Sequence, residues 1–163
     1  MRLAERPAHK ERKKNMIRHA NKFDTEAIIR MLKAYRDNAP TEFLRSASNQ
    51  EHIEQLLSGI LAGAGFILLA IKEDEPIGMI IGALHPNIWN PKIMQISEIA
   101  YWVDEEHRGG RFAYKLLHAY IQQCEELKQE KRIDFFSLSK MVNSPDLSYE
   151  KFGFEKLEET WIK

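Results

Sequence analysis

The segment Tyr101-Trp-Val-Asp-Glu-Glu-His-Arg-Gly-Gly-Arg-Phe-Ala-Tyr-Lys-Leu-Leu117 changes character twice. An aromatic and β-branched run ends at Val103, and acidic residues fill 104–106. Arg108, Gly109, Gly110 and Arg111 then lead into a helical pattern. Strand, glycine turn and helix together make a place to hold phosphates. The first amides of a helix have no intrahelical partner and carry roughly half a positive charge between them. Glycines let a ligand come close to that backbone, and two arginines add side-chain charge there. The pattern is neither a P-loop nor a dinucleotide fingerprint, because Gly-Lys-Ser/Thr and Gly-x-Gly-x-x-Gly are both absent.

Composition sets the frame around this segment. At 163 residues the chain is long enough for one domain with its own core. Formal net charge is zero, so charge gives no global argument for a nucleic-acid or membrane partner. One cysteine excludes a disulfide framework, and the chain reads as cytoplasmic. Neither a spanning apolar run nor a signal-peptide pattern is found. The histidines show no metal-ligand spacing, so no metal is expected. Residues 1–15 are rich in lysine and arginine without apolar periodicity, and are read as a mobile basic extension. A nucleic-acid arm is the sharper alternative for them. Residues 16–163 form the expected single domain.

Taken in order, 16–20 reads as a first strand. Asp24 is placed to cap a helix reaching Asn38, with Ile28, Met31, Leu32 and Tyr35 on one stripe. Ser48 to Glu51 has the form of a capping box for a second helix that ends at Gly63. Strands are expected at 66–72, 76–85 and 94–103, with a loop at 85–92 between the last two. The phosphate-turn helix spans about 110–129. A strand at 133–139, a short helix from Ser144-Pro145 and a closing strand at 154–162 complete the order. The result is β-α-α-β-β-β-α-β-α-β. The fold class is α+β (mixed α/β): a mixed, mostly antiparallel sheet with helices on both faces.

Val103-Asp-Glu-Glu-His-Arg-Gly-Gly-Arg-Phe-Ala113 resembles the acyl-CoA-binding motif of the GNAT superfamily of N-acyltransferases, Gln/Arg-x-x-Gly-x-Gly/Ala. Arg108 and Ala113 match its ends, while Arg111 stands in the middle glycine position. Tyr149-Glu-Lys-Phe-Gly-Phe154 resembles the Tyr-x-x-x-Gly-Phe signature that closes that domain, and the element order matches from Met16 onward. The resemblance implies acetyl-CoA as acyl donor, a primary amine as acceptor, and direct transfer in a ternary complex. It implies that Tyr101, Trp102 and Val103 contact the pantetheine arm. Arg108, Gly109, Gly110, Arg111, Phe112, Ala113 and Tyr114 would then form the pyrophosphate cradle, with Asn143 a further cofactor contact. It also implies that the pantetheine arm lies in a splay between the strand ending at Val103 and the one starting at Ile133.

Two residues are candidates for the chemistry. An alkyl amine with a pKa of about 10.4 must lose a proton, at a cost of about 4 to 5 kcal/mol near neutral pH, so a positioned base matters. Glu98 lies in an otherwise uncharged strand and, by alternation, shares a face with Ile96, Ala100 and Trp102. Helices on both sheet faces would desolvate it, raise its pKa and suit it to base work. Tyr149 is the candidate acid for the departing thiolate. His107 reads as turn chemistry and Cys124 as core. Trp89, in the proline-bounded loop, either lines the acceptor site or anchors the loop. A non-catalytic domain of this fold, sensing acyl-CoA or binding a protein, is the alternative from another class. The sequence leaves a homodimer open and does not name the acceptor.

Overall fold

A computed structural model describes residues 15–163. The basic extension read at 1–15 falls, except for Asn15, outside the described residues. The elements are β1 (Met16–His19), α1 (Thr25–Asp37), α2 (Glu42–Ser46) and α3 (Gln50–Gly59), followed by β2 (Gly65–Lys72), β3 (Glu75–Pro86) and β4 (Met94–Val103), then α4 (Phe112–Gln129) and β5 (Phe135–Ser137). The five strands form one sheet in sequence order. Pairing is antiparallel from β1 to β4 and parallel between β4 and β5.

Two apolar layers hold helices to opposite faces. Ile28, Ile29 and Met31 of α1 and Leu57 of α3 pack against Ile67, Leu69, Met79, Ile81, Ala100 and Trp102. Leu116, Leu117, Tyr120, Cys124 and Leu127 of α4 pack on Phe66, Leu68, Ile80, Ile96 and Val103. Each fully buried Leu or Ile is worth about 1.5 to 3 kcal/mol of removed apolar surface, so these stripes fix both layers. Cys124 is fully buried among them, and burial pushes its thiol up to about 12.

The helix starts depart from the sequence reading in detail. Asn21, not Asp24, is the side-chain cap: its Oδ1 accepts from the Phe23 amide at 2.9 Å, opening a 3-10 turn at Lys22–Asp24. The buried Asp24 carboxylate instead accepts from the Asn21 amide at 2.8 Å and from both terminal nitrogens of Arg18 at 2.8 Å. Arg18 holds that carboxyl below its usual range. α3 is capped by Asn49, one residue after the expected Ser48, with Oδ1 accepting from the His52 amide at 3.0 Å. The short helix α2, capped by Thr41, was not expected.

β4 does not alternate strictly. Its register against β3 pairs Ala100 with Ile81 and Glu98 with Gly82, so Ile99 is a bulge residue, 38 % exposed. Ile96 therefore packs under α4, while Ala100 and Trp102 pack under α1 and α3. This corrects the single face expected for Ile96, Glu98, Ala100 and Trp102. Glu98 sits beside the changeover.

The C-terminal third is less regular than expected. The strand read at 133–139 is confined to Phe135–Ser137. At Ser144-Pro145 there is no helix. Instead, Asp146 Oδ1 accepts from the Ser148 amide at 2.9 Å, Ser148 takes a left-handed φ of 53°, and a 3-10 turn follows at Tyr149–Phe152. Residues 154–162 form no strand. Alternation puts Lys156 and Glu158 on one side of that segment and Glu155 and Glu159 on the other, so neither side is apolar. Leu157 and Trp161 are 84 % and 86 % exposed.

Candidate active site

β4 and β5 pair only at Gln95–Phe135, Ile96–Phe136 and Ser97–Ser137. Beyond Ser97 the two chains diverge, and a cavity of about 360 Å³ opens between them. Its walls include Glu98, Tyr101, Trp102 and Val103 from β4 and Ser139, Met141 and Asn143 from the chain after β5. Arg108, Gly109, Gly110, Ala113 and Tyr114 of the turn into α4 line it, as do Tyr35 and Asn38 at the end of α1, and Tyr149.

The turn is locked by side chains on both sides. The Asp104 amide donates to the Ile77 carbonyl at 2.8 Å, and its carboxylate accepts from Trp102 Nε1 at 2.9 Å and from Arg30 at 2.9 and 3.0 Å. Arg108 Nε donates to the Val103 carbonyl at 2.9 Å, and its guanidinium lies 4.3 Å from the centre of the Trp102 ring. The Tyr101 hydroxyl donates to the Ala113 carbonyl, tying the first turn of α4 to β4.

The backbone of this turn is open toward a ligand. Gly109 has φ +78°, a left-handed conformation that glycine takes without strain, and nothing lies within 4 Å of where a Cβ would stand. α4 has no side-chain cap. The Gly110 amide closes the turn at 108–109, and among the described residues the amides of Arg111, Phe112, Ala113 and Tyr114 at the start of α4 find no protein acceptor. Unpartnered helix-terminal donors beside a cavity suit an anionic group. Not every expected cradle residue is on the wall. Arg111 is exposed and Phe112 packs toward the α4 layer, 6.5 Å from the His107 ring.

Glu98 is 6 % exposed and is one of two buried charged residues among those described. Its Oε2 accepts from the Ser139 amide at 3.2 Å. Burial pushes its pKa up to about 7, partly offset by that hydrogen bond. The Tyr149 hydroxyl is pushed up to about 12, first by burial and then by the nearby Glu98 charge, and Tyr35 reaches about 12 for the same two reasons. Burial also raises Tyr101. The cavity thus combines a carboxyl poised near neutrality with phenols that keep their protons.

Asn143 does line the cavity, but its Nδ2 donates to the Asn38 carbonyl at 2.7 Å and pins the loop after β5 to the end of α1. Tyr35, Asn38, His107, Ser139 and Met141 were not anticipated as wall residues. Tyr35 carried no separate signal, because it belongs to the apolar stripe of α1. Ser139 acts through its backbone amide, which no side-chain pattern announces. Trp89 is 89 % exposed and outside the cavity wall. Among the described residues no group of three or more His, Cys, Asp or Glu could hold a metal ion, and no helix is long and apolar enough to cross a membrane.

A sheet splayed at its parallel pair, with a naked helix N-terminus on one side of the gap and a buried carboxyl on the other, is the frame of an acyl-transfer enzyme. The sequence model of the acetyltransferase (GNAT) family matches residues 27–154, and the chain belongs to that family. Solved structures agree in fold. A possible acetyltransferase from Clostridium difficile 630 superposes with TM-score 0.66 at 15% identity, covering 91% of this chain and 95% of that one. A predicted acetyltransferase with acetyl-CoA from Clostridium acetobutylicum gives 0.63 at 14% identity, covering 92% and 95%. An aminoglycoside acetyltransferase from an uncultured soil metagenomic sample gives 0.63 at 16% identity, covering 91% and 93%. No curated protein matches the sequence.

Proposed function

We propose that the protein moves an acetyl group from acetyl-CoA to a primary amine by direct transfer in a ternary complex. The observation that carries this reading is that one cavity joins the buried Glu98 carboxyl to the glycine turn and the uncapped start of α4. The amides and Arg108 would hold the pyrophosphate. The edge of β4 beyond Ser97 has lost its β5 partner, so backbone groups there can bond the pantetheine arm, and one amide can face the developing oxyanion.

Glu98 would take the proton of the attacking amine. With its pKa near 7 it is about half ionised at neutral pH, close to the optimum for a general base. Tyr149 would face the departing sulfur as the acid. Its phenol near 12 is a weaker acid than a thiol of about 8.5, so complete transfer is uphill by roughly 5 kcal/mol. Tyr149 therefore assists by hydrogen bonding to the thiolate, which takes its proton from solvent on release. Besides the basic extension, Arg111 in a glycine position argues for the non-catalytic alternative. Its side chain is exposed and off the cavity wall, which favours the catalytic reading.

Calorimetry with acetyl-CoA tests the cradle. Wild type should bind at micromolar affinity. Gly110→Glu, which adds a carboxylate where only the His107 carbonyl lies within 4 Å of a new Cβ, should fold and lose that binding. Absence of binding by folded wild type would remove the proposal.

A further inference from the structure

We infer that the Tyr35 hydroxyl positions the acceptor: it holds the N–H of the attacking amine that Glu98 does not take. This rests on the transferase reading above and adds to it a residue for the acceptor side of the cavity.

The tyrosines around the cavity are of two kinds. Tyr101 uses its hydroxyl on the Ala113 carbonyl, and Tyr120 donates to the Ser137 carbonyl at 2.8 Å. Tyr35 and Tyr149 line the cavity with Glu98, and among the described residues neither hydroxyl has a hydrogen-bond partner. No side-chain oxygen or nitrogen sealed from solvent lacks a partner among those residues, so both free hydroxyls are accessible.

The two rings are anchored from different sides of the sheet. Tyr35, in the last turn of α1, packs on the core between α1 and the sheet, and its ring meets that of Trp102 edge-on with centroids 6.5 Å apart. Tyr149 leans on Phe154 at 6.2 Å, and Phe154 meets Phe136 of the α4 layer at 5.7 Å. Glu98 lies at the changeover between those layers, and its charge acts on both phenols. A transfer has one group arriving and one departing. With Tyr149 at the sulfur, Tyr35 stands on the side left to the nitrogen.

The stoichiometry of the step defines the contact. A neutral primary amine brings a lone pair and two N–H groups. The lone pair forms the N–C bond as the C–S bond breaks, and the sulfur leaves as thiolate to take a proton from solvent. Glu98 Oε2 is held by the Ser139 amide at 3.2 Å, so Oε1 takes one amine proton. The second proton stays on nitrogen and becomes the N–H of the amide product. The side chains of Trp102, Val103, Met141 and Leu147 on the cavity wall offer that N–H no acceptor, and a hydrogen bond left unmade there destabilises the bound amine. The Tyr35 oxygen accepts it. Burial and the Glu98 charge push that phenol up to about 12, so the oxygen stays neutral. With both N–H groups held, the lone pair is aimed in one direction.

The test is thiol release from acetyl-CoA with phenethylamine and with N-methylphenethylamine, at equal concentrations of neutral amine. The secondary amine has one N–H, which goes to Glu98, and none for Tyr35. Tyr35→Phe should lower the primary-to-secondary ratio of kcat/KM by ~10-fold, the size of one hydrogen bond, with the KM for acetyl-CoA unchanged. Its urea midpoint should match that of wild type, because the hydroxyl removed has no partner in the fold. A ratio that does not fall, whether both amines suffer alike or neither does, overturns the role of Tyr35 alone. A wild type that binds acetyl-CoA but releases thiol with neither amine overturns the transferase reading as well.

Discussion

Replacing Glu98 by glutamine should make the protein more stable and less active. The carboxyl titrates near 4.5 when exposed and near 7 in the fold, because burial disfavours its charged form. A raised carboxyl binds its proton more tightly in the folded than in the unfolded chain. Its contribution to stability is therefore full below pH 4.5 and is lost as pH rises through about 7. At about 1.36 kcal/mol per pH unit, the gap between 4.5 and about 7 makes ionised Glu98 cost ~3 kcal/mol at pH 8. Glutamine carries no charge at any pH and retains an acceptor for the Ser139 amide. Urea unfolding should give Glu98→Gln an advantage approaching ~3 kcal/mol at pH 8, shrinking to near zero at pH 4. Over the same range wild-type kcat/KM should rise about tenfold per pH unit and level off near pH 7, and the variant should lack that limb. No gain in stability at pH 8 would mean that Glu98 is hydrated in solution. A gain in stability with activity intact would leave the desolvation standing and refute the base.

Two further predictions bear on separate parts of the molecule. Tyr149→Phe should lower kcat by ~10-fold, with the KM for acetyl-CoA little changed, because one hydrogen bond to the leaving thiolate is lost; an unaltered kcat would move the residue out of the mechanism. Arg18→Ala should cost ~2 kcal/mol at pH 7 by leaving the buried Asp24 carboxylate without its cation. Because Arg18 lowers the Asp24 pKa, that stabilisation holds above the unfolded value of 3.8 and fades as pH falls below it. A penalty independent of pH would show that Arg18 contributes through packing alone.

The parts of the fold that sequence revealed were those with a strong local cause. Val103, Arg108, Gly109 and Gly110 marked the strand-to-helix turn because glycine and charge are read directly from residue type. The stripes of α1 and α4 were legible because apolar spacing records burial. Glu98 stood out as the lone charge in an apolar strand, and the structure buries it. The bulge at Ile99 was invisible, since an extra apolar residue in an apolar strand leaves no mark on the pattern. Residues 154–162 read as a closing strand, but a half-buried strand needs one side free of charge, and neither side is. Asn143 was assigned to cofactor by analogy; that its amide also holds Asn38, a partner more than a hundred residues away in sequence, left no mark in the pattern. Contacts of that span follow from the folded topology and cannot be inferred from neighbouring residue types.

The bulge at Ile99 also bears on how such a cavity could arise. An extra residue bends and overtwists the strand that carries it. Here the bend falls directly after Ser97, where β5 stops pairing with β4 and the gap begins. Loss of the Ile99 codon would leave Ile96 on its present face and Ala100 and Trp102 on theirs, because ordinary alternation already produces that arrangement. The strand would straighten, β5 could zip along it past Ser137, and the gap would close over Glu98. Deleting Ile99 should then give a folded protein that no longer binds acetyl-CoA. In evolutionary terms a continuous sheet and an open active site would stand one in-frame insertion apart.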